Sequence, residues 1–142
     1  MAGLHGEFHH KLDAKGRLSL PAAFRKILPK NLMVTLSPKG ECLYVFEPEG
    51  FDVWVESLFE KDGGFQTSNS MHAAQRKILN SRAIDIEVDG SNRIGVSSAQ
   101  REAAGLDKEV VLIGDTDHFE IWDAKRWDDF CSSITLDSLY VG

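Results

Sequence analysis

Several features that mark common protein classes are scarce or missing in this chain of 142 residues. It has two cysteines, Cys42 and Cys131, far apart and outside any Cys-x-x-Cys pair, which excludes a disulfide framework. Both read as small packed hydrophobes. No apolar run approaches the length of a membrane span, so no membrane helix is predicted. The opening Met-Ala-Gly-Leu-His-Gly-Glu lacks the basic start and apolar core of a secretory signal, which points to the cytoplasm. Net positive charge is missing too: 16 Lys and Arg stand against 22 Asp and Glu, a formal charge of -6. Spread evenly, that charge would repel nucleic acid, so a polyanion has to meet a locally basic face. No nucleophile elbow, glycine-rich phosphate loop or Cys-His signature is present.

What the chain does contain is a repeat. Asp13-Ala-Lys-Gly-Arg17-Leu returns as Asp89-Gly-Ser-Asn-Arg93-Ile, an offset of 76. The same gapless offset places Arg25 on Arg101, Val34 on Val110, Leu36 on Leu112 and Asp52 on Asp128. Apolar character follows it, with Leu18 on Ile94, Leu20 on Val96, Phe46 on Trp122 and Phe51 on Trp127. Either half alone is small for a stable core, so the two copies are expected to build one together.

Each copy reads as a strand, a tight turn, a second strand, a short helix, then a strand pair closed by aromatics: mostly β with short α-helices. The leading strands are 7–12 and 83–88, the latter alternating apolar and acidic residues. Arg17-Leu-Ser-Leu and Arg93-Ile-Gly-Val follow the turns. Pro21 and Ser97-Ser98 stand where helices over 21–28 and 98–104 begin, and Gly105 stops the second. Strands resume at 33–36, 42–46, 109–113 and 118–122. Phe51, Trp54, Val55, Leu58 and Phe59 share one helix face, as do Trp127, Phe130, Cys131 and Ile134; both helices are expected to cover the core. Asp62-Gly-Gly-Phe reads as a linker and 68–80 as a connecting helix. The expected organisation is a first repeat over 5–51, connecting helices and linker over 52–80, a second repeat over 81–127, and a C-terminal helix and tail over 128–142.

The turns are the candidate site. Asp13 accepts backbone hydrogen bonds from the turn that it opens, while Gly16 permits the positive φ of a sharp reversal. Asn92, which stands at the second-copy glycine position, also tolerates that conformation. Residues 7–30 carry six bases and two acids, the matching window 83–106 two bases and four acids, so the first copy is the basic one. Lys11, Lys15, Arg17 and Arg25 are expected to converge there as a polyanion-binding patch. For the second copy, an intramolecular Asp89–Arg93 pair holding the hairpin is the expected role. No metal site or cofactor is assigned: His5 and His9 lack a third ligand, and His9 and His10 point to opposite faces of a strand. Asp13 and Asp89 do not read as a catalytic dyad, because each has an arginine four residues on to neutralise it. The expectation is not an enzyme. An electrostatic module that docks an acidic protein partner stays open as the alternative.

Asp13-Ala-Lys-Gly-Arg-Leu-Ser-Leu-Pro-Ala-Ala-Phe-Arg25, then Asp89-Gly-Ser-Asn-Arg93 and Glu109-Val-Val-Leu-Ile-Gly…His118-Phe-Glu-Ile-Trp-Asp, resembles the MraZ family through nearly the whole chain. The resemblance implies a tandem pair of SpoVT/AbrB-like swapped-hairpin units forming a double-split β-barrel. It also implies a ring of identical subunits on the nucleoid, and sequence-specific regulation of transcription through double-stranded DNA near division and cell-wall genes. The family's Asp-x-x-Gly-Arg motif maps onto Asp13, Gly16 and Arg17, and, with its glycine replaced, onto Asp89, Asn92 and Arg93. Arg101 completes the weaker second-copy set.

Overall fold

The computed structural model describes residues 3–141. In the first copy, β1 (Glu7–Lys11) and β2 (Arg17–Ser19) flank the Asp13 turn, α1 (Ala22–Arg25) follows, and β3 (Asn31–Leu36) and β4 (Leu43–Phe46) form a hairpin. Helix α2 (Pro48–Ser57), a 3-10 turn (Glu60–Asp62) and α3 (Ser70–Ser81) lead to the second copy. There β5 (Ile84–Glu87), β6 (Arg93–Gly95), α4 (Ser98–Ala103), β7 (Glu109–Gly114) and β8 (Phe119–Asp123) repeat the order, and α5 (Ala124–Ser133) and α6 (Asp137–Tyr140) end the described chain. The caps follow the residues. Asn69 Oδ1 accepts from the N–H of Met71 and of His72, Ser97 Oγ from that of Gln100, and Gly105 leaves α4 at φ +66°. Among the described residues, no helix is long and apolar enough to cross a membrane.

The eight strands lie in two antiparallel sheets: six in the order β1-β7-β8-β4-β3-β5, and a two-stranded ribbon β2-β6. Each leading strand pairs with a strand of the other copy: β1 bonds to β7, and β5 to β3. That exchange is the swapped hairpin. An approximate two-fold axis runs through the centre, because Leu18 faces Ile94 and Tyr44 faces Glu120, each residue meeting its own counterpart at the offset of 76 (94 − 18, 120 − 44). Both copies fill one core. Leu18, Phe24, Leu32, Val34, Leu43 and Val45 pack with Ile94, Val110, Leu112, Phe119 and Ile121, all essentially without solvent contact. Phe24 lies 5.1 Å from Phe8 and 5.0 Å from Phe119, ring centre to ring centre, so one α1 side chain ties together strands from both copies.

Two expectations need correction. The copies are not in one gapless register throughout. Leu12 N–H donates to the Lys108 carbonyl and Val88 N–H to that of Lys30, so Lys30 corresponds to Lys108, and Val34 to Leu112 rather than Val110. The second copy has two extra residues between helix and strand. The first copy recovers them in its β3–β4 loop, which spans Ser37–Cys42 where the second has only Asp115–His118. A slip of two keeps every strand residue on its own face, so the apolar pattern cannot reveal it. The second correction is Cys131, which is exposed whereas Cys42 is buried. Its counterpart Val55 is sealed by Phe65, Leu79 and Ala83 from the linker, α3 and its exit. Nothing among the described residues plays that part for α5, which buries none of its residues and rests Trp127 and Phe130 on Trp122.

Candidate nucleic-acid interface

Each turn is built by one aspartate. Asp13 Oδ1 accepts from the backbone N–H of Lys15 and of Arg17, both at 2.9 Å, and Oδ2 accepts from Arg17 Nε at 2.8 Å. Asp89 repeats the pattern, its Oδ1 accepting from Ser91 N–H at 2.8 Å and Arg93 N–H at 2.9 Å, with Arg93 Nε 3.3 Å from Oδ2. The bond from the arginine's own backbone N–H is the main reason that each carboxyl is held below the usual aspartate range, and the guanidinium adds to it. Gly16 and Asn92 take the left-handed conformation, at φ +77° and +60°. The Asp89–Arg93 pair expected for the second turn is formed, and Asp13–Arg17, expected instead to serve a binding patch, is paired in the same way.

The ribbon then sets the arginines side by side. Leu18 and Ile94 point into the core, which turns Arg17 and Ser19 of β2, and Arg93 and Gly95 of β6, to the outside. Arg17 stands opposite Gly95, and Arg93 opposite Ser19. The outer face thus carries two guanidinium groups on a diagonal with two small residues between them. Arg93 Nη1 also lies 4.0 Å from Asp13 Oδ2, so Asp13 touches both arginines. Among the described residues, no hydrogen-bond partner takes the two Nη groups of Arg17.

The helix arginines change sides. Arg101 of α4 packs over the first turn: a Cβ added at Gly16 would come within 2.7 Å of Arg101 Nε and 2.6 Å of the Val96 carbonyl. Arg25 of α1 lines a cleft with Asp89, Gly90 and Asn92 of the second turn. So Arg25 does not join Lys15 and Arg17 on one patch; Arg101 does. Lys15 is exposed at the first apex. Lys11 pairs with Glu109 in the β1–β7 ladder and shares a cleft with Asp107, Lys108 and Asp123. Lys15, Arg17, Arg25, Arg93 and Arg101 around the two turns outnumber Asp13 and Asp89 by three charges, against the negative sign of the whole chain. Ser19 and Gly95 went unnoticed in the sequence, although their alternation with Leu18 and Ile94 marks them as outward.

The profile described as "MraZ protein, putative antitoxin-like" matches residues 4–81 and again 79–139. The chain belongs to the MraZ family. Family members called transcriptional regulator MraZ are similar along most of its length. The one from Nitrosomonas eutropha is 39% identical over 127 residues, covering 87% of this chain and 82% of the relative. The one from Saccharopolyspora erythraea is 41% identical over 127 residues, covering 88% and 84%, and that from Corynebacterium urealyticum 39% over 132 residues, covering 93% and 89%. The double profile match agrees with the two interleaved copies.

Proposed function

We propose that this chain is a sequence-specific DNA-binding regulator of transcription, acting in the cytoplasm on the nucleoid at repeated boxes upstream of its own division and cell-wall gene cluster. The observation that carries the reading is the outer face of the β2-β6 ribbon. A two-stranded ribbon fits the major groove of B-DNA, and Ser19 and Gly95 leave room there for the bases to approach. With Arg17 Nε held by Asp13, the Nη1–Nη2 edge is left to meet guanine O6 and N7 end-on, already oriented. Lys15 and Arg101 flank that arginine and suit phosphate oxygens, which position without specifying. The acidic remainder of the surface repels DNA from other approaches, so orientation is set before contact.

One bidentate arginine–guanine contact discriminates by about 1–3 kcal/mol, too little to find a promoter. A ring of identical subunits, each engaging one short box, supplies the rest through effective concentration, provided that the spacing of the boxes matches that of the subunits. The test is binding of the purified protein to DNA from upstream of its own gene against scrambled DNA at physiological salt. Selective binding that Arg17→Ala removes supports the reading. Equal weak binding to both DNAs overturns it in favour of an electrostatic module that docks an acidic protein.

A further inference from the structure

Away from the ribbon, the β7–β8 turn and the start of β8 bring Asp115, Asp117, His118 and Glu120 together at the seam where β8 meets β4 of the other copy. His118 and Glu120 are about nine-tenths buried, and Asp115 is exposed at the mouth of a cleft that Glu120 also lines. His118 Nε2 lies 2.8 Å from Glu120 Oε2 and 3.9 Å from Asp115 Oδ2, and one donor atom from each of the three residues falls within 4.8 Å of the others. Ligand atoms about 2.1 Å from a tetrahedral zinc ion stand roughly 3.4 Å apart, so small side-chain movements close these distances onto one ion.

What surrounds the three atoms is arranged to aim them. The other imidazole nitrogen, Nδ1, is held by Asp117 Oδ1 at 2.7 Å. The other oxygen of Glu120 accepts from Trp122 Nε1 at 2.9 Å and from Cys42 Sγ at 3.6 Å, which leaves Oε2 turned toward His118. The ring of His118 is clamped between Phe46, stacked at 5.0 Å, and Tyr44, at 4.4 Å. A ligating histidine with its second nitrogen on a carboxylate, beside a ligating carboxylate with its second oxygen bonded, is the outer arrangement that metal sites use to fix tautomer and direction. Charge points the same way. Three carboxylates meet one imidazole, and among the described residues no lysine or arginine forms an ion pair with any of them.

We propose that Asp115, His118 and Glu120 form a binding site for a first-row divalent ion of the zinc type, oriented by Asp117, Trp122 and Cys42. The ion takes the place of the Nε2 proton and, with solvent reaching its fourth position from the cleft, ties the β7–β8 turn to the inter-repeat seam. The site is independent of the DNA reading. In the sequence its trace is Asp115-x-x-His118-x-Glu120, in which a spacing of two sets His118 and Glu120 on one side and the β7–β8 turn folds Asp115 back to them.

The test is titration of the metal-free full-length protein with Zn2+, and with Co2+ read by visible absorption. One ion per chain should bind saturably and raise the melting temperature. Asp115→Asn, an exposed change whose folding a melt in chelator verifies, should weaken binding at least tenfold and abolish the melting shift. Asp117→Asn should weaken it by about 10–100-fold while leaving one site. His9→Asn, in the other histidine-rich stretch, should change nothing. Absence of saturable binding, or binding that survives Asp115→Asn unchanged or is lost with His9→Asn, overturns the assignment.

Discussion

The two turns share a backbone and differ in what lies on them. Both use an aspartate to collect two backbone N–H groups and to pair with an arginine, by a hydrogen bond from Nε in the first turn and an ion pair in the second, and both reverse through a left-handed residue. Yet Gly16 is buried beneath Arg101, whereas Asn92 is exposed. The first turn has no room for a side chain, while the second accommodates that of Asn92 at the edge of the cleft that Arg25 also lines. A motif can therefore keep its fold requirement while relaxing its packing requirement. Where packing is kept, the arginine over the turn is part of what has to be preserved.

The largest expected difference is functional. On the proposed reading Arg17→Ala should remove specific DNA binding, because every subunit of the proposed ring would lose its guanine contact at once, whereas Arg93→Ala should leave most of it; equal losses in a gel-shift titration would erase the distinction between the turns. Next comes stability. Gly16→Ala forces a Cβ against the Val96 carbonyl in a left-handed conformation, costing about 1–3 kcal/mol, while Asn92→Gly changes stability by a few tenths, both read from urea midpoints. A double-mutant cycle sharpens this: Arg101→Ala should recover roughly 0.5–1 kcal/mol of the Gly16→Ala loss, and Arg25→Ala should show no coupling to Asn92→Ala. The smallest effect is one of pH. Folding lowers the Asp13 and Asp89 carboxyls, so their contribution is in place above about pH 4, where the unfolded carboxyls ionise, and disappears as pH falls through the lower folded values. Asp13→Asn with Asp89→Asn should flatten the acid limb of a melting-temperature profile; an unchanged limb would mean that the turns carry none of it.

Much of this was legible in the residues. Alternation placed the strands within a residue or two, and Asp13, Gly16 and Arg17 announced their turn because each answers a local backbone demand. What escaped was long-range. The exchange of Arg25 and Arg101 between turns depends on strands paired across copies, which no local window contains. The compensating two-residue slips were invisible because a strand repeats every two residues. The burial of Val55 and exposure of Cys131 on equivalent helices depend on a linker that follows only one of them. The Asp115, His118 and Glu120 group escaped because the turn that folds Asp115 back onto the other two leaves no periodic mark in the sequence.

The exchange of leading strands also sets a timetable for synthesis. Strand β1 ends at Lys11, but its ladder partner among the described residues, β7, begins at Glu109. At roughly 5–20 residues per second, β1 leaves the ribosome some 5–20 s before that partner exists. The β3–β4 hairpin pairs within its own stretch of chain and does not wait. During the delay β1 is an unpaired strand, and its sequence, Glu-Phe-His-His-Lys, has a single strongly apolar residue with which to attract a wrong neighbour. Its polarity serves the nascent chain before it serves the finished sheet.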